Sequence, residues 1–110
     1  VLMGGDFNVN KFLWPQDYQN MLTNLNATAP ISTGYTASTF DPRVNKLAGA
    51  AGSGGTTVEY LDYVVASNTH RQPTQSRNDV RILRTTADPL YMTWDLSDHF
   101  PVMGHFNYSP

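Results

Sequence analysis

Tyr60-Leu61-Asp62-Tyr63-Val64-Val65-Ala66 is the stretch that decides the fold class. Aromatic and β-branched residues run through it without a break, which is the composition of a strand. A nearly continuous apolar run also marks a strand covered on both faces. Its single charge, Asp62, is then costly unless a cation or an imidazole meets it. The other reading is an exposed edge strand with Asp62 in water.

The flanking segments fill in a small mixed fold. Val1-Leu2-Met3 ahead of Gly4-Gly5 reads as a second buried, central strand that halts at a glycine-permitted bend. Pro15 to Leu25 is the one clear helix, because Tyr18, Met21, Leu22 and Leu25 fall at i, i+3, i+4 and i+7. Pro15 and Asp17 suit its first turn. Residues 27–57 are dominated by small and polar side chains. They predict a long surface loop with little core, a flexible tip between Ala48 and Thr57, and a short strand around Tyr35 to Thr39. Arg71 to Asn78, with Pro73, reads as a loop, Val80 to Leu83 as an edge strand, and Pro101 to Phe106 as the last strand. Four or five strands with one helix make an α/β (α+β) piece. One helix covers one sheet face, so something else should cover the other.

Composition narrows the classes further. The chain has 110 residues, enough for one domain at most. Hydrophobic residues are 40% and charged residues 15%, which excludes a charge-driven disordered chain and a coiled coil. No apolar run approaches the roughly 18 residues of a membrane span. A net charge of −2 argues against a whole-surface grip on nucleic acid. Arg71, Arg77, Arg81 and Arg84 still leave room for a local basic groove. Without cysteine there is neither a disulfide framework nor a thiolate metal site. The first residues lie inside an apolar run and lack an initiating Met, so residues 1–110 are expected to be an incomplete part of a domain.

Three polar clusters stand at or within strands. In Gly5-Asp6-Phe7-Asn8, a carboxylate and an amide two residues apart in extended chain would point to one side. They could jointly hold a phosphate oxygen, a metal or a leaving group, or simply form a turn. Asp62 is the second. In Asp95-Leu96-Ser97-Asp98-His99, the third, a neutral imidazole could accept a proton near pH 7, oriented by a carboxylate on its other nitrogen. A surface turn with a bystander His is the plainer alternative. His70 and His105 have no such setting. If the strands are neighbours, Asp6, Asn8, Asp62, Asp98 and His99 converge at one sheet edge. Four oxygen-bearing side chains and an imidazole suit a hard divalent cation and phosphate chemistry.

Gly5-Asp6-Phe7-Asn8, then Leu61-Asp62-Tyr63-Val64, then Ser97-Asp98-His99-Phe100-Pro101-Val102 resemble, in that order and spacing, the endonuclease/exonuclease/phosphatase superfamily. Within it the chain resembles the bacterial neutral sphingomyelinases (sphingomyelinase C). Asp6 to Lys11, Met21-Leu22 with Leu25-Asn26, Glu59 to Tyr63, and Thr69-His70 with Gln72-Pro73 carry the likeness over nearly the whole chain. The match is to the C-terminal part of a domain two to three times longer.

The resemblance implies a two-sheet β-sandwich flanked by helices, the DNase I-like fold, with the active site at one edge between the sheets. It implies that Asp6 positions or protonates at the reaction centre and that Asn8 holds a phosphate oxygen or a metal. His99 would be the general base, Asp62 would fix its tautomer, and Asp98 would sit beside the metal. The cofactor would be Mg²⁺ or another divalent cation. Its main carboxylate ligand is expected outside this chain, since Glu59 adjoins the Asp62 strand. The missing N-terminal half of the domain would also supply an Asn and a second His.

The implied substrate is sphingomyelin, cleaved to ceramide and phosphocholine by a secreted enzyme. A peripheral membrane surface is an expected partner, and the acidic balance argues against nucleic acid. Arg84 to Trp94, with Leu90, Tyr91, Met92 and Trp94, is too short for the long aromatic hairpin of membrane-attacking members. The alternatives are a nuclease or a phosphoinositide phosphatase of the same superfamily, or an inactive fragment of such an enzyme.

Overall fold

The computed structural model describes residues 1–51, 56–82 and 95–110. In chain order the elements are β1 (Leu2–Asp6), α1 (Pro15–Leu25), β2 (Ala27–Thr28), β3 (Ile31–Gly34), α2 (Lys46–Ala51), β4 (Asp62–Ser67), β5 (Gln75–Val80) and β6 (Val102–Asn107). They form two three-stranded sheets, ordered β1-β4-β2 and β3-β5-β6. Among the described residues only the β3–β5 pair is parallel. This is the mixed α/β, two-sheet architecture expected from the sequence.

β4 is the spine, as its composition predicts. Tyr60, Tyr63 and Val65 are buried and share one core with Val80, Phe100 and the α1 residues Tyr18 and Leu22. Tyr18 stacks on Tyr63 with ring centroids 5.2 Å apart. The predicted apolar stripe of α1 is thus its contact face, with Met21 and Leu25 partly buried at its margin. The helix ends at Asn26, which takes the left-handed conformation at φ 48° and donates its N–H to the Thr23 carbonyl.

The two sheets meet where β4 crosses β5 and β6. Gly104 lets them approach, because a Cβ there would lie 3.0 Å from Val64 and 2.7 Å from the Phe106 ring. Beside it, the buried Asn78 behaves as a substitute ladder partner for β4. Its side-chain oxygen accepts the Val64 N–H and its amide donates to the Val64 carbonyl, both at 2.8 Å.

Several sequence readings are corrected. Among the described residues β1 pairs with β4 alone, so it lies at a sheet edge with Val1 and Leu2 exposed, where the sequence predicted a buried central strand. It does not halt at Gly4-Gly5 but runs through to Asp6. The segment from Ala27 holds β2, β3 and α2, and the strand expected at Tyr35 to Thr39 lies earlier, at Ile31–Gly34. That segment also contributes core: Ser38, Thr39, Asp41, Asn45 and Ala48 are buried. Small size lets them pack closely, and hydrogen bonds offset the cost of burying the polar ones.

Gln75 to Asn78 are strand, not loop, and β5 lies between β3 and β6 rather than at an edge. Its buried positions include Asn78 and Asp79, so the usual apolar alternation is missing. Asp79 accepts the Thr33 hydroxyl at 3.0 Å and the Arg81 guanidinium at 2.6 Å. The tip at residues 52–55, Leu83, and the Arg84 to Trp94 stretch lie outside the described residues.

Candidate active site

The antiparallel register of β1 on β4 sets Asp6 directly opposite Asp62. Cross-strand partners project from the same face, so two carboxylates meet at one sheet end. Such a pair is unfavourable without positive charge between or beside it. His99 supplies it. Its Nδ1 lies 2.7 Å from Asp62 Oδ2, and its Nε2 lies 3.9 Å from Asp6 Oδ2. Asp62 therefore has the imidazole partner that its apolar strand demanded. Asp62 accepts the Nδ1 proton, which leaves Nε2 as the basic nitrogen of a neutral His99.

Burial of the ring disfavours its cation. The hydrogen bond and charge of Asp62 oppose this, with smaller contributions from the charges of Asp6 and Asp98. The net effect raises the His99 pKa above its ordinary 6.5. The His99 ring also leans on Phe40, with centroids 5.3 Å apart.

Thr39 ties the two partners together from behind. It is fully buried. Its hydroxyl oxygen accepts the Leu61 N–H at 2.9 Å and the Asp62 N–H at 3.3 Å. Its carbonyl accepts the Phe100 N–H at 2.7 Å, next to His99. Asn45 adds a second tie, donating to the Ser97 carbonyl at 2.8 Å. The loop is itself held by Asp41, whose carboxylate accepts the Tyr35 hydroxyl and a two-pronged contact from Arg43. The Arg43 guanidinium holds the Asp41 pKa down at about 2. Thr39 and Phe40 were missed in the sequence. They sit in a stretch of small polar residues, and only their distant partners reveal them.

Asn8 does not extend the chain past Asp6 as supposed. Its φ is 54°, and its N–H donates to Asp6 Oδ1 at 2.9 Å. Asp6 thus closes a tight turn that braces its own carboxylate. The Asn8 side chain stays at the exposed surface beside the site. Asp98 accepts the Ser97 hydroxyl at 3.3 Å and is not among the groups gathered round His99. A cavity of about 440 Å³ opens on Asp62 and His99, walled also by Asn45, Asp95 and Ser97.

One Asp6 oxygen, one Asp62 oxygen and a His99 ring nitrogen all lie within 4.8 Å of one another. Asp62 and His99 are already bound to each other, so Asp6 is the donor open to a hard cation. Mg²⁺ prefers a near-octahedral oxygen shell with few protein carboxylates. Asp6, with Asn8 nearby, fits as part of such a shell.

No family model matches the chain. A phospholipase C from Staphylococcus aureus is 35% identical over 111 aligned residues, covering 96% of this chain and 32% of that protein. A sphingomyelinase C from Bacillus cereus is 36% identical, over 93% of this chain and 33% of its own length. Among solved structures, a beta toxin from Staphylococcus aureus superposes with a TM-score of 0.85 at 34% identity, over 97% of this chain and 37% of that one. A beta toxin variant with bound magnesium ions gives 0.83 at the same identity, over 97% and 37%. A sphingomyelinase C from Streptomyces griseocarneus gives 0.82 at 29% identity, over 97% and 38%. In sequence and in fold, then, this chain is a relative of the bacterial sphingomyelinase C proteins, spanning about a third of their length.

Proposed function

We propose that the protein carrying this chain is a metal-dependent phosphodiesterase that hydrolyses sphingomyelin to ceramide and phosphocholine. The observation that carries this reading is the Asp62–His99 pair, with Asp6 facing it across the strand register. His99 Nε2 takes a proton from water, whose oxygen forms the new bond to phosphorus. Asp62 holds the proton on Nδ1 and stabilises the imidazolium that results. The phosphorus–oxygen bond to ceramide breaks, and that oxygen takes a proton from solvent, while the imidazolium later returns its own to solvent. Asp6 positions or protonates at this centre, and Asn8 contacts a phosphate oxygen or the cation. Asp98 acts through its charge beside the metal. When bound, Mg²⁺ supplies charge neutralisation at the phosphate oxygens. The remaining metal ligand, the secreted setting and the lipid-surface partner belong to the same proposal, with residues 1–110 forming one portion of the domain.

The test is phosphocholine release from sphingomyelin by the intact protein, with Mg²⁺ and with EDTA, beside a plasmid-nicking assay. Metal-dependent release is expected. Nicked plasmid without phosphocholine would establish the nuclease alternative instead.

A further inference from the structure

Phe12, Leu13 and Trp14 stand in succession with 58%, 57% and 60% of their surface exposed. They form the tip of the turn between β1 and α1. The turn is firmly held. Asn10 is buried beneath it and accepts the Phe12 N–H at 3.2 Å and the Tyr60 N–H at 3.4 Å on its side-chain oxygen. The Asn10 carbonyl accepts the Trp14 N–H at 2.8 Å. The Lys11 N–H reaches the Tyr63 hydroxyl at 3.2 Å. The Lys11 ammonium sits at the base of the tip, on the Ser32 hydroxyl, 4.0 Å from the Tyr60 ring centroid and 5.2 Å from that of Phe12. A polar network beneath the turn therefore presents three apolar side chains to the surroundings, with the N–H groups of Lys11, Phe12 and Trp14 already hydrogen-bonded.

The position of the tip matters. The Phe12 ring meets Tyr60 edge-on at 5.9 Å, and Tyr60 is two residues from Asp62. The apolar tip and the candidate site thus lie at the same end of β4.

We propose that Phe12-Leu13-Trp14 is an interfacial anchor that inserts into the headgroup–acyl boundary of a choline-lipid bilayer beside the site. The choice of lipid rests on the phosphodiesterase reading above. The three side chains stand on a turn, and none of them lines the cavity at Asp62 and His99. Phe and Trp are suited to the bilayer interface, and satisfied backbone groups lower the cost of entering it. No described helix is long and apolar enough to cross a membrane, so such an anchor would be shallow.

The test uses the intact protein in EDTA, where no turnover occurs, on phosphatidylcholine vesicles with and without sphingomyelin. Replacing Phe12, Leu13 and Trp14 together by Ser should weaken vesicle binding by about tenfold or more on both compositions. Hydrolysis of a water-soluble phosphocholine ester should stay unchanged, which also shows that the variant is folded. Vesicles of brominated lipid should quench the tryptophan fluorescence of the intact protein, and Trp14→Phe should remove that quenching. Unaltered vesicle binding by the triple variant would overturn the proposal, as would absent quenching. A wild-type dimer that becomes monomeric in the triple variant would assign the tip to a second copy and overturn it too. Failure of the soluble-ester assay in the unmodified protein would count against the phosphodiesterase reading and leave the vesicle result standing.

Discussion

His99 Nδ1 and Asp62 Oδ2 lie 2.7 Å apart although 37 residues separate them in the chain. The contact joins the first residue of β4 to the segment that leads into β6. It turns an otherwise uncompensated strand carboxylate into an orienting group. In the intact protein, His99→Ala should lower kcat by about 10²-fold or more. Asp62→Asn should also impair turnover, and the double variant should be little worse than His99→Ala alone. Fully additive losses in a double-mutant cycle would show that the two act separately.

The pH profile follows from the same pair. A general base must be neutral, and the His99 pKa is raised above 6.5 by Asp62, against the effect of burial. The acid limb of kcat/KM should therefore lie above 6.5 and move down in Asp62→Asn. A limb that does not move would separate Asp62 from His99 titration. The stability linkage has a defined sign. Protonated His99 adds stability that is complete below its unfolded-state pKa and is lost as pH rises through the higher folded-state value.

Thr39 positions rather than reacts. Thr39→Val keeps the shape but removes the oxygen that accepts the Leu61 and Asp62 N–H groups. It should lower kcat by about tenfold to a hundredfold through misplacement of the pair. KM should change little, and Thr39→Ser should restore most of the rate. Equal stability loss in both variants, with no difference in kcat, would reduce Thr39 to a packing residue.

Asp41 locks the loop that carries Thr39 and Phe40. Asp41→Ala leaves Tyr35 and Arg43 without their partner and should cost about 2 kcal/mol, read from the urea midpoint. Its carboxyl is held at about 2. Its contribution is thus present above the unfolded value of 3.8 and is lost as pH falls through about 2. The acid unfolding curve of the variant should lack that component.

The 110 residues alone should not hydrolyse sphingomyelin, because the Asp6, Asp62 and His99 group offers a cation one carboxylate, Asp6, that is not already bonded to the imidazole. Activity of the purified chain above a His99→Ala control would show that these residues supply a complete metal site.

Periodicity and composition reached the elements whose buried side chains are apolar. The helix Pro15–Leu25 and the strand Asp62–Ser67 could be read locally, because a 3.6-residue stripe and a β-branched run record burial in the residues themselves. The demand of Asp62 for a cationic or imidazole partner was equally legible. Its supply by His99, and the facing of Asp6 across the strands, were settled by the β1–β4 register and the sheet end where His99 arrives. The loop bearing Thr39 and the strand Gln75–Val80 were misread for one reason. Their buried groups are polar and are satisfied by partners far along the chain: Asn78 on Val64, Thr39 on Asp62, Asn45 on Ser97. A hydrogen bond to a distant backbone leaves no local pattern, so only the folded arrangement could assign those residues their place.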